Sequence, residues 1–149
     1  MRDIWADIET VLIDETTLQD RIGAMAAQIE TDYADKDDLL LICVLKGAFM
    51  FLSDVSRALK RAHSIDFMGI SSYGKGTTSM GAVQIIMDLK APIENRHVLI
   101  VEDIIDSGNT LNYLVRMLRE RQPAVAGREV GEERPLGIAR LDFRPPGHE

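Results

Sequence analysis

The stretch Val98-Leu99-Ile100-Val101-Glu102-Asp103-Ile104-Ile105-Asp106-Ser107-Gly108-Asn109-Thr110-Leu111 decides how this chain is read. Four consecutive apolar residues suit a strand buried on both faces. Two adjacent carboxylates end it, a short turn of small and polar residues follows, and a helix begins near Thr110. In an open α/β sheet, ligands sit at the carboxyl ends of the strands, where this turn must lie. Asp106 to Thr110 offers hydroxyls, a glycine and successive free backbone N–H groups at a helix start, which together make an anion cradle. Glu102 and Asp103 suit the opposite task of accepting sugar hydroxyls or holding Mg²⁺ through its waters. A phosphorylated sugar would satisfy both halves. The same residues also fit a plain strand-to-helix junction in which Asp106 or Thr110 only caps the helix. Neither the Gly-x-x-x-x-Gly-Lys phosphate loop nor the dinucleotide Gly-x-Gly-x-x-Gly occurs.

Upstream, Leu18, Ile22, Met25, Ala26, Ile29 and Tyr33 recur at helical spacing, and Thr16 with Gln19 fits a capping box, so a helix is expected over Thr16 to Tyr33. Leu39 to Leu45 is a continuous apolar run, hence a buried strand. Lys46-Gly47 interrupts it before a second helix over Ala48 to Arg61. Ile65 to Ile70 and Val83 to Leu89 read as a strand pair around the glycine- and hydroxyl-rich loop Ser71 to Ser79. Leu111, Leu114, Val115 and Leu118 share one face of a third helix. Beyond Gln122 the composition turns to Gly, Pro and Arg, with only Leu136 to Ala139 and Leu141 to Phe143 able to form short strands. The order helix, strand, helix, strand pair, strand, helix is that of an α/β domain with a parallel-core sheet flanked by helices.

At 149 residues the chain is one domain's worth. Lys and Arg number 17 against 24 Asp and Glu, a net charge of −7, which disfavours a nucleic-acid-coating role. No apolar run approaches the roughly 18 residues of a membrane span, and the acidic start is unlike a secretory signal. The single cysteine, Cys43, lies inside an apolar run, so no internal disulfide and no cysteine zinc site is available. A cytoplasmic protein without membrane or nucleic-acid partners is expected. His63, His97 and His148 lack metal-ligand spacing and are read as surface residues. Met68, Met80 and Met87 are read as packing or chance and not as functional.

Val101 to Thr110 resembles the phosphoribosyl-diphosphate (PRPP) loop of type I phosphoribosyltransferases, in wording most like the bacterial hypoxanthine (hypoxanthine-guanine) branch. Leu45-Lys46-Gly47-Ala48-Phe49-Met50-Phe51 resembles that branch's pyrophosphate-binding loop. Asp66-Phe67-Met68 with Ser71-Ser72-Tyr73-Gly74 resembles its lid. The resemblance covers about Val11 to Pro123. It implies a type I phosphoribosyltransferase (Rossmann-like) core and a Mg²⁺-dependent transfer of the phosphoribosyl group from PRPP to a purine base, releasing pyrophosphate. By the same resemblance Glu102 and Asp103 hold the ribose and the metal, and Asp106, Ser107, Gly108, Asn109 and Thr110 bind the 5′-phosphate. Asp106 is the proton acceptor. Lys46 and Gly47 bind pyrophosphate, with the peptide before Lys46 in the cis form, and Ser72 and Tyr73 belong to the lid. A homo-oligomer, dimer or tetramer, is implied as well.

The resemblance also has an edge. The family pattern continues with another core strand and a lysine that contacts the purine's exocyclic oxygen, and residues 123–129 match neither. The family's hood, with its base-stacking aromatic and late metal-binding aspartate, would fall past Glu149. The chain is therefore expected to be a single domain over 1–149. Within it 1–123 match the family core, and 124–149 form a divergent or truncated tail in place of a full hood. A bared apolar sheet edge would follow from the missing strand. Two readings stay open: a purine salvage enzyme making IMP or GMP, or a PRPP- or nucleotide-binding regulatory or inactive relative without base recognition. The preferred base is not determined by these residues.

Overall fold

A computed structural model describes residues 4–73, 82–103, 109–124 and 136–140. A short 3-10 turn over Ile4–Asp7 precedes α1 (Glu15–Asp32), β1 (Leu39–Leu45), α2 (Phe49–Ala58), β2 (His63–Tyr73), β3 (Ala82–Met87), β4 (His97–Glu102), α3 (Asn109–Arg119) and β5 (Leu136–Arg140). The sheet runs β3-β2-β1-β4-β5. β1 is parallel to β2 and to β4, β4 is parallel to β5, and only β3 runs antiparallel, returning along β2. The expected parallel core with a hairpin at one side is what forms.

β1 lies at the centre because both of its faces are apolar. Leu39, Leu41 and Cys43 point into one core layer with Ile22, Ala26 and Ile29 of α1 and Phe51, Leu52 and Val55 of α2. Leu40, Ile42 and Val44 point into the other, with Met68, Val98, Ile100, Ile93 and the α3 residues Leu114 and Leu118. Each side chain of this size, fully buried, contributes about 1.5–3 kcal/mol of hydrophobic free energy. The two layers together fix the helices on opposite faces of the sheet.

Three expectations change. α1 is capped by Asp14, whose Oδ1 accepts the Thr17 backbone N–H at 2.7 Å, and not by a Thr16–Gln19 box; the carboxylate is the stronger acceptor for the helix's positive end. That bond holds the Asp14 carboxyl below its usual range. β4 is not a bare edge, because Leu136–Arg140 pairs along it from Val98 to Glu102 and buries Ala139. A short apolar segment of the tail thus takes the strand slot beside β4. His63 and His97 are half-buried at the starts of β2 and β4, not on the surface. His63 Nε2 lies 2.8 Å from Ser56 Oγ, and the His97 ring meets Tyr33 edge-on at 6.5 Å between centroids. Met68 is core, Met87 is exposed, and Met80, His148 and Leu141 to Phe143 lie outside the described residues.

Candidate active site

Parallel pairing brings the carboxyl ends of β1 and β4 side by side. Their register runs from Leu39↔His97 to Cys43↔Val101, so the turn after Leu45 and the acids after Val101 emerge together. Lys46 and Gly47 form that turn, entered through a cis Leu45–Lys46 peptide bond, as the resemblance implies. A Cβ at Gly47 would stand 2.8 Å from both Cγ and Oδ1 of Asp103, and closer still to Oδ2. No side chain fits there while the carboxylate keeps its place, so glycine is what lets the turn lie against it.

Glu102 ends β4 and Asp103 follows it, both half-buried. Burial is the main cause that pushes the Glu102 carboxyl up to about 7, and a hydrogen bond with Asp103 and that residue's charge add to it. The acid pair therefore shares its site uncomfortably: two crowded oxygen acids, one reluctant to ionise, make a hard, anionic donor set suited to Mg²⁺. Beneath them Cys43 is wholly buried, and burial with the Glu102 and Asp103 charges raises its thiol to about 11, which keeps it protonated and unreactive at neutral pH.

α2 begins directly after the turn. Its N-cap position is Ala48, whose side chain makes no cap hydrogen bond. A helix start beside Lys46 and Gly47 is the kind of element that can receive an anion. The sequence reading missed it; the signal was an alanine where Ser, Thr, Asp or Asn would normally stand.

Asn109 opens α3, and Thr110, its second residue, is half-buried. Asp106, Ser107 and Gly108 lie outside the described residues. Ser72 and Tyr73 end β2, and the rest of the expected glycine- and hydroxyl-rich loop, Gly74 to Ser79, lies outside the described residues too. The structure thus brings Lys46, Gly47, Glu102 and Asp103 to one end of the sheet, with α3 starting six residues beyond Asp103.

A mixed five-stranded sheet flanked by helices, with a cis-peptide turn after the central strand and an acid pair ending its neighbour, defines a type I phosphoribosyltransferase fold. The chain belongs to the phosphoribosyl transferase domain family, whose model matches residues 13–131. It is similar to a hypoxanthine-guanine phosphoribosyltransferase from Dictyostelium discoideum, 43% identical over 116 residues covering 76% of this chain and 64% of that protein. It is also similar to the one from Mycobacterium bovis, 46% identical over 122 residues covering 78% of this chain and 60% of that protein. The chain therefore spans somewhat under two-thirds of these relatives' length. Among solved structures, a hypoxanthine-guanine phosphoribosyltransferase from Bacillus anthracis superposes with a TM-score of 0.76 at 36% identity, covering 90% of this chain and 73% of that one. A hypoxanthine phosphoribosyltransferase from Trypanosoma cruzi in a ternary substrates complex does so with a TM-score of 0.76 at 39% identity, covering 89% and 71%. Among the described residues no helix is long and apolar enough to cross a membrane.

Proposed function

We propose that this chain is a purine salvage phosphoribosyltransferase that moves the 5-phosphoribosyl group from PRPP to hypoxanthine or guanine, giving IMP or GMP and pyrophosphate. The observation that carries this reading is the seating of Gly47 against Asp103. It joins a turn suited to pyrophosphate to an acid pair suited to the ribose of the same substrate. The relatives named for hypoxanthine and guanine support the choice of base class.

In this reading the Lys46 ammonium, the Gly47 turn and the start of α2 take the pyrophosphate of PRPP. Glu102 and Asp103 accept the ribose hydroxyls and would hold Mg²⁺, which when bound offsets charge on the departing pyrophosphate. Asp106 to Thr110 cradle the 5′-phosphate at the amino end of α3. As the bond from the ribosyl carbon to pyrophosphate breaks, positive charge grows on the ring, as in glycoside cleavage, and the carboxylates of β4 stabilise it. The purine nitrogen forms the new bond while Asp106 takes the proton from N7. Ser72 and Tyr73, at the end of β2, lead into the lid that keeps water from the ribosyl centre. The reading includes a homo-oligomer, dimer or tetramer, in the cytoplasm. Exposed Phe49 and Met50 beside the site, with exposed Val11 and Leu12, are apolar surface that assembly would cover, and sedimentation at micromolar concentration tests it.

An assay with PRPP, Mg²⁺ and each of hypoxanthine, guanine and adenine tests the activity. Nucleotide formation with a 6-oxopurine is the expected result. If PRPP–Mg²⁺ raises the melting temperature but no base turns over, the chain is instead a PRPP-binding relative without base recognition.

The raised Glu102 carboxyl makes a second test. The group must ionise to hold ribose and metal, so PRPP–Mg²⁺ affinity rises with pH through about 7 and gains about tenfold between pH 6 and 8. Stability runs the other way. The folded value lies above the unfolded one, so the contribution of Glu102 is greatest below the ordinary carboxyl range and is lost as pH rises through about 7. Calorimetric titration across this range checks the first, and Glu102→Gln should flatten the profile; an unchanged slope in that variant removes Glu102 from the binding set.

A further inference from the structure

Two parts of the candidate site, the β2–β3 hairpin and α3, are joined far from the chemistry by one ion pair. Arg121, in the turn after α3, donates from Nη1 to Asp88 Oδ1 at 2.8 Å and from Nη2 to Oδ2 at 2.9 Å. Asp88 is the first residue beyond β3, and its Oδ1 also accepts the Leu89 backbone N–H at 2.7 Å. The carboxylate is thus oriented from its own side before the guanidinium meets it.

Among the described residues, the rest of the contact between these elements is apolar. Leu111, Leu114, Val115 and Leu118 of α3 share a cluster with Ile70 and Ile85 of the hairpin and with Leu89. Hydrophobic burial holds α3 down but is non-directional, so it sets the helix tilt less sharply than a directional contact does. A bidentate guanidinium–carboxylate fork is planar and directional, so it selects one. The side chains of Arg121 and Asp88 are 32% and 49% exposed, too open for the pair to add much stability. Just beyond it, Asn95 N–H donates to Gln122 O at 2.9 Å and Ala124 N–H to Arg96 O at 2.8 Å, which ties down the following chain. The far end of α3 is therefore a fixed pivot, and its amino end follows directly on the residues read as the 5′-phosphate turn.

We propose that the Asp88–Arg121 pair is a positioning device for PRPP binding: by locking the exit of α3 to the exit of the β2–β3 hairpin, it sets where the amino end of α3 stands relative to the acid pair of β4. The inference rests on the reading of α3 as the helix behind the phosphate turn. From Asn109 to Arg121 the helix and its turn reach about 18 Å, so a tilt of about 3° at the pivot displaces the other end by about 1 Å. A misplacement of that size is enough to cost up to about a hundredfold in a positioned reaction.

The test uses Arg121→Lys and Asp88→Asn, which keep size and remove the fork. Each is expected to raise KM for PRPP by about two- to fivefold with kcat within about twofold of the parent and the melting temperature nearly unchanged, and the double variant to be no worse than either single. A merely structural pair would lower the melting temperature and leave KM alone. Unchanged KM for PRPP in both variants overturns the proposal, as does a double variant whose losses simply add. If the parent chain binds no PRPP–Mg²⁺ by calorimetry, the functional reading itself fails. Amide exchange at 109–114 then judges the clamp separately, because faster exchange in the variants sustains it and equal exchange discards it.

Discussion

Asp106→Asn lowers kcat by about two to four orders of magnitude and leaves PRPP affinity nearly unchanged. The carboxylate sits by sequence in the turn between β4 and α3, and in the proposed reaction it is the group that accepts the purine proton as the new bond forms. Asparagine keeps the shape and the hydrogen-bonding oxygen, so it still lines the phosphate turn and can still cap a helix. What it cannot do is accept a full proton. The loss must therefore appear in the chemical step and not in binding. Steady-state kinetics beside calorimetric titration of PRPP–Mg²⁺ separates the two. A variant with normal kcat, or one that simply fails to fold, shows Asp106 to be a structural cap.

Gly47→Ala is expected to cut kcat/KM by about ten- to a hundredfold with little change in melting temperature. The new methyl group would stand 2.8 Å from the Asp103 Cγ, well inside contact distance. Asp103 ends in a short, half-exposed carboxylate, so the clash is relieved by swinging that group aside and not by breaking the core. The fold survives, and the cost falls on the acid pair, because one of its members no longer stands beside the pyrophosphate turn. KM for PRPP and pyrophosphate inhibition, measured with thermal melting, check this. A large drop in melting temperature with intact kcat/KM would assign Gly47 to stability alone.

The elements were largely legible because each depends on a local pattern. Leu39 to Leu45 is apolar at every position, and only a strand covered on both faces accommodates that, which is the place β1 takes. The α3 stripe and the Gly-flanked hairpin follow from periodicity and turn chemistry in the same way. The misreadings came where two local signals competed or where a partner lay far away in the chain. Asp14 won the cap of α1 from Thr16 because a charged acceptor outbids a hydroxyl at the helix start. β5 was legible as a short apolar segment, but its pairing with β4 depends on an edge that exists only once the sheet has formed. The partly buried His63 and His97 were invisible for the same reason, since burial at a strand's start is set by what packs across it.

By itself, then, the sequence determined the strand–acid–turn–helix unit over 98–111, the buried centre of the sheet and the family to which they belong, because these rest on residue types at short fixed spacings. Tertiary structure alone decided that Gly47 meets Asp103, that burial beside Asp103 pushes Glu102 up to about 7, and that Asp88 meets Arg121. Those facts join residues 33 to 56 positions apart, or depend on how much water reaches a carboxylate. Neither long-range proximity nor desolvation is written in any local run of residues; both arise when parallel strands align their carboxyl ends and helices close over the faces between them.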